Sequence, residues 1–308
     1  MKLADAHLHL FCKGYAARYG AAWANPHELE LYESFRRVHG IERGLVIGYE
    51  GRPEFRSNNR DLAAWARKHS WITPLGFLSV TPPPSLKLLA ARLRQGFAGL
   101  ALYVMTARDA ERLNRWPISA AKWLNQHRQI LSLNARPEAL AHLKPFLSKL
   151  DHCATLISHL GLPGRYAAPP SRREARKILQ PLRSLAKLPR VGVKLSGLYA
   201  ISQPSHAYPH RSAHPFIRQL YDDFGPERLY WGSDFSPALG HVSFPQTIDA
   251  LFQFGWPAGD LRRIMHDNLT RMIRSCRSDQ SRHGTPRHHP EGAAINPAMP
   301  KTELSTSR

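Results

Sequence analysis

Eight short apolar runs, spaced along the chain with longer amphipathic stretches between them, constrain this sequence more than any other feature. They cover residues 3–7, 44–48, 73–78, 98–103, 130–134, 154–159, 191–196 and 229–233. Each is mostly aliphatic or β-branched and too short for a helix. Near-continuous apolar character of this kind suits strands buried on both faces, as in a parallel sheet. The intervening segments carry helical periodicity. Residues 27–39 place Leu31, Phe35 and Val38 on one side and stop at Gly40, a good residue for ending a helix. Residues 59–69 do the same with Leu62, Trp65 and Ala66, and residues 257–273 with Leu261, Ile264, Met265, Leu269 and Met272.

Strands alternating with helices imply right-handed βαβ units. Eight of them predict a closed (β/α)8 TIM barrel, a single α/β domain, rather than an open doubly wound sheet. No glycine-rich dinucleotide fingerprint follows the first run, which argues against the open alternative. A chain of 308 residues, 43% hydrophobic, is long enough for one such core. The barrel is expected over residues 1–274. From about Ser275 the periodicity dissolves, and residues 275–308 read as a disordered C-terminal tail, rich in Pro, Ser, Thr, His and Arg from 281 onward. The tail histidines His283, His288 and His289 read as solvated rather than as ligands.

The formal net charge of +20 favours anions: nucleic acid, acidic membranes or a carboxylated substrate. The basic pairs Arg36-Arg37, Arg172-Arg173, Arg176-Lys177 and Arg262-Arg263 fall in helical segments or their entries, which suits a solvated outer face. No zinc finger, RNA-binding signature or long basic run with interleaved aromatics is present, so no specific nucleic-acid partner is expected. No run is long and apolar enough to span a bilayer, and the first residues lack the apolar stretch of a secretory signal. Cys12, Cys153 and Cys276 are scattered and odd in number, which fits a reducing, cytoplasmic setting.

In a barrel of this type the active site lies at the C-terminal ends of the strands. The first run ends Asp5-Ala6-His7-Leu8-His9, and period-two alternation sends His7 and His9 to the same side. Two such imidazoles can chelate a divalent ion such as zinc or hydrogen-bond a substrate carbonyl. The sixth run ends Ser158-His159-Leu160-Gly161 and the eighth Gly232-Ser233-Asp234. A histidine after an apolar run can be a satisfied core residue, and an aspartate there can be a helix N-cap. At strand ends both are better placed for catalysis: a carboxylate there can hold a metal or take a proton from water.

These stretches, with Val193-Lys194-Leu195-Ser196-Gly197 and Phe224-Gly225-Pro226-Glu227-Arg228-Leu229 leading into the eighth run, resemble the amidohydrolase-related TIM-barrel hydrolases, a family that includes lactonases and decarboxylases. The late helix with Asn268 resembles that family's terminal helix. The His159-Leu160-Gly161-Leu162-Pro163 form resembles the lactonase branch typified by pyrone-dicarboxylate lactonase and fuconolactonase. The resemblance implies His7 and His9 as metal or substrate ligands, His159 as ligand or acid/base, and Asp234 as metal ligand or general base. Metal-dependent members often add an imidazole, glutamate or modified lysine from a middle strand. Here those strands end in Tyr103 and Asn134, which are weaker candidates for substrate contact. The implied cofactor is a divalent metal, zinc by preference, with metal-independent catalysis also compatible. Tyr49, Glu50, Lys194 and Ser196 also sit near strand ends. Glu50 reads as a solvated loop residue and Lys194 as a structural partner for a carboxylate such as Asp5.

The expected activity is hydrolysis of a small ester, a lactone above all and of an anionic kind, by activated water. The alternatives are a metal-dependent decarboxylase on the same barrel and a non-catalytic basic barrel that binds an anionic partner.

Overall fold

The computed structural model describes residues 1–20 and 24–283. Eight strands form one sheet in chain order: β1 (Leu3–Leu8), β2 (Ile41–Ile47), β3 (Ile72–Phe77), β4 (Gly99–Val104), β5 (Ile130–Ala135), β6 (Ala154–Ile157), β7 (Val191–Leu195) and β8 (Leu229–Trp231). Each strand pairs parallel with the next. The expected single-domain (β/α)8 barrel is the observed fold, and each expected run overlaps a strand.

β1 and β8 close the circle at their C-terminal ends. The Asp234 amide donates to the His7 carbonyl at 2.8 Å, and Leu8 bridges Phe235 in parallel. Gly232 makes this approach possible, because a Cβ there would come within 2.7 Å of the His7 Cβ. A buried carboxylate staples the seam. Asp5 accepts from the backbone amides of His7 and Ser233, both at 3.0 Å, from the Ser233 hydroxyl, and from the Tyr32 hydroxyl at 2.9 Å. Tyr32 comes from the helix Glu28–His39, so one side chain ties β1, β8 and the first helix together.

Ala4, Ala6, Leu45, Leu75, Ala101, Leu156 and Tyr230 share one buried cluster with Leu269, Ile273 and Cys276 of the last helix. That helix runs Asn268–His283, past Ser275, and Asn268 donates to the carbonyls of Pro226 and Leu229. The rest of the segment expected to be a tail, residues 284–308, lies outside the described residues. Among the described residues no helix is long and apolar enough to cross a membrane.

Candidate active site

β1 delivers two imidazoles to the mouth. His7 is on the strand and His9 one residue beyond it, and the alternation that predicts a shared side holds: their Nε2 atoms lie 3.2 Å apart. His9 Nδ1 is 2.8 Å from the Ile47 carbonyl on β2. A carbonyl only accepts, so His9 carries its proton on Nδ1 and turns a bare Nε2 to the cavity.

His159 and Asp234 reach the same place by turns rather than by strand. β6 stops at Ile157, and His159 opens a short 3-10 turn, His159–Gly161, with Leu160 and Leu162 close behind. All three non-glycine residues have positive φ, 53°, 57° and 50°, and Asp234 has φ 56°. A left-handed conformation costs a residue with a Cβ roughly 1–2 kcal/mol, and such strain collects where side-chain aim matters more than local stability. Gly197 is needed opposite: it has φ 63°, and a Cβ there would fall on His159 Nδ1.

Asp234 sits at the centre. Its Oδ1 lies 3.5 Å from His7 Nε2 and 3.8 Å from His9 Nε2; its Oδ2 lies 3.8 Å from His159 Nδ1 and accepts from the Tyr199 hydroxyl at 2.8 Å. His159 Nδ1 is also 3.1 Å from the Ser196 hydroxyl. Burial raises the Asp234 carboxyl to about 6, against the opposing pull of His9, the Tyr199 hydrogen bond and Lys194. Burial also pushes His9 down to about 4 and His159 down to about 3, and holds His7 well below its usual range. Near neutral pH the site therefore presents three neutral imidazoles around one carboxylate.

Lys194 on β7 is fully buried beneath them. Its Nζ lies 2.6 Å from the Ser132 hydroxyl and 3.1 Å from His7 Nδ1. Desolvation lowers it to about 7, with Asp5 and Asp234 pulling the other way. The expected pairing with Asp5 is thus a longer-range attraction, while its hydrogen bonds go to Ser132 and His7. Glu50 takes no part in the site: it accepts from the Asn59 amide and side chain and fixes a loop.

Above Asp234 opens a cavity of about 260 Å³, lined among others by His9, Phe11, Tyr49, Tyr103, Asn134 and His159. Tyr103 and Asn134 therefore do face the cavity, and the Asn134 Oδ1 is buried there without a hydrogen-bond partner. Tyr49 and Tyr103 pack with ring centroids 4.9 Å apart. Sequence reading missed three polar wall residues. Tyr15 and Arg18 come from the loop after β1, where the guanidinium lies over the Tyr15 ring; Tyr199 comes from a short turn after β7. Buried Glu28 fixes the rim, accepting from the amides of Phe11 and Tyr15 at 2.7 Å each and from the Ser236 hydroxyl.

The spacing of His7, His9 and Asp234 can accommodate a metal ion. A tetrahedral ion with bonds of about 2.1 Å separates its ligand atoms by roughly 3.4 Å. The triangle here has edges of 3.2, 3.5 and 3.8 Å.

Known proteins share this architecture. An amidohydrolase from Burkholderia multivorans with bound zinc superposes with a TM-score of 0.74 at 19% identity, over 89% of this chain and 99% of that one. A provisionally assigned 2-pyrone-4,6-dicarboxylic acid hydrolase from Pseudomonas putida gives 0.65 at 22% identity, over 88% and 97%. A 5-carboxyvanillate decarboxylase from Novosphingobium aromaticivorans, complexed with manganese and 4-hydroxy-3-methoxy-5-nitrobenzoic acid, gives 0.57 at 12% identity, over 89% and 96%. No curated protein matches the sequence. The profile of the family described as Amidohydrolase matches residues 4–274, and the chain belongs to that family.

Proposed function

We propose that this protein hydrolyses a small ester, a lactone first among them, with water activated by Asp234. The observation that carries the proposal is one under-coordinated carboxylate, buried among three neutral imidazoles and a tyrosine at the floor of a small cavity. Asp234 accepts the water proton, and a carboxyl raised to about 6 is a stronger base than an ordinary aspartate while still ionised at neutral pH. His7, with Lys194 behind it, supplies positive potential where the carbonyl oxygen gains charge. His159, held by Ser196, orients the water or the tetrahedral intermediate. Tyr199 fixes the carboxylate rotamer and damps its basicity.

The cavity suits a monocyclic substrate: about 260 Å³ is below the usual range for drug-sized ligands. The rings of Phe11, Tyr49 and Tyr103 match a flat ring, and Arg18 matches an anionic substituent. If a divalent ion binds, His7, His9 and Asp234 hold it, a donor set that suits zinc, and it supplies Lewis-acid polarisation of a substrate oxygen. The three free thiols support a reducing location, the cytoplasm.

A panel of five- and six-membered lactones, with and without carboxylates, together with carboxylated aromatics, tests the proposal. Proton release with ring opening is the expected signal. Carbon dioxide release from the aromatics, with no lactone turned over, would establish the decarboxylase alternative. Salt-sensitive nucleic-acid binding without any turnover would point to the non-catalytic one.

A further inference from the structure

We propose that this chain carries a second ligand site, on the outside of the barrel, that binds a mononucleotide: a phosphate monoester on an aromatic body. A cleft of about 660 Å³ lies among segments that follow β6, β7 and β8. That volume falls within the usual range for small-molecule sites. The cleft shares no lining residue with the cavity above Asp234. One wall is a face of the helix His214–Phe224 and of the turn Arg211–Ala213 that leads into it. Arg211, His214, Arg218 and Tyr221 follow one another there at steps of three and four residues, which places them on one side.

Charge defines one end of the cleft. Arg172 reaches in from the helix Arg172–Ile178 and pairs with Asp222 at 3.0 Å, so those two charges cancel. Arg211 and Arg218 are exposed, and among the described residues neither forms an ion pair. His214, between them in sequence, adds no charge near neutral pH. Burial lowers it, the Pro209 carbonyl at 3.1 Å opposes that, and Arg218 and Arg211 lower it further. Two uncompensated guanidiniums match one phosphate monoester, which carries about 1.5 to 2 negative charges at pH 7. A lone carboxylate would leave one of them unmatched. Rings define the other end. Phe254, Trp256 and Tyr221 form a near-parallel row with centroids 4.8 and 5.0 Å apart, and His214 extends it at 4.7 Å from Phe254. Tyr221 and Trp256 are only half-buried, and Arg218 lies over the Phe254 ring at 5.5 Å, joining the two ends. Aromatic side chains hold a base and arginine forks hold its phosphate. A cavity of this size suits one nucleotide, whereas strand-binding grooves track roughly four or more.

Adenosine monophosphate is the probe, and its binding to the full chain is measured by calorimetry. Adenosine and inorganic phosphate, its two halves, are measured beside it. Saturable one-to-one binding of the monophosphate, tighter than that of either half, is expected. The double variant Arg211→Ala/Arg218→Ala should weaken it about tenfold or more, through the loss of charge-assisted contacts. Both side chains are exposed, so Tm should stay at the wild-type value. Arg18→Ala, at the cavity above Asp234, should leave the binding unchanged, which separates this site from the proposed active site. Absence of saturable binding overturns the proposal, as does binding that survives the double substitution or is lost in Arg18→Ala. Inorganic phosphate binding as tightly as the monophosphate also overturns it, by showing a bare anion patch. So does a single-stranded oligonucleotide that binds where the monophosphate does not, by showing a strand-binding surface.

Discussion

Asp5 and Asp234 are both buried, both near the β1–β8 seam, and both pushed up to about 6 by burial, yet their surroundings are opposite. Asp5, below, is surrounded by four donors at hydrogen-bond distance: two backbone amides and two hydroxyls. Asp234, above, accepts one such side-chain bond, from Tyr199, and its histidine neighbours stand off at 3.5–3.8 Å. A buried carboxylate with all its acceptor capacity used holds a structure together. One with capacity left over, facing a cavity, is equipped to take a proton or a ligand. The same sequence seam therefore carries a structural acid and, one strand end away, the acid proposed to do chemistry.

Substitutions separate the two roles. Asp234→Asn keeps the size of the side chain and should leave Tm within a few degrees of wild type. Turnover of the lactone found in the screen should fall by about 10²-fold or more, because an amide cannot accept the water proton. A melting temperature that collapses with activity would place Asp234 with Asp5, as structure. Asp5→Ala should do the reverse. It leaves the amides of His7 and Ser233 without their buried acceptor, at a cost of about 2–3 kcal/mol, which lowers Tm by roughly 5 °C or more in a domain of this size. An unchanged Tm, measured by calorimetry, would show that water replaces the carboxylate. Tyr199→Phe is the mildest change. Its hydroxyl favours the ionised form of Asp234, so removing it raises that pKa further. The acid limb of the pH–rate profile should move to higher pH while the rate well above it changes only a few-fold.

Much of this was legible in the sequence. The barrel was, since eight buried parallel strands impose eight apolar runs that turn residues cannot imitate. His7 and His9 were, because strand periodicity alone puts them on one side. His159 and Asp234 were legible by position at strand ends, but not their conformation: β6 and β8 stop short, and left-handed turns aim both side chains. Lys194 reads as an interruption in an apolar strand. Its partners are Ser132 and His7, 62 and 187 residues away, and only barrel closure brings them together. Tyr199, Tyr15 and Arg18 lie in loops whose course no local pattern dictates.

The central claim is that Asp234, unlike Asp5, is the base that titrates in catalysis. The dependence of kcat/KM on pH, in wild type and in Asp234→Asn, tests it most directly. A general base works ionised, so activity is present above its pKa and is lost as pH falls through it. With the carboxyl raised to about 6, the wild-type rate should fall about tenfold per pH unit below that point, and the residual rate of Asp234→Asn should show no such limb. A wild-type profile flat down to pH about 4, where an unperturbed aspartate titrates, or the same limb persisting in Asp234→Asn, would contradict the account.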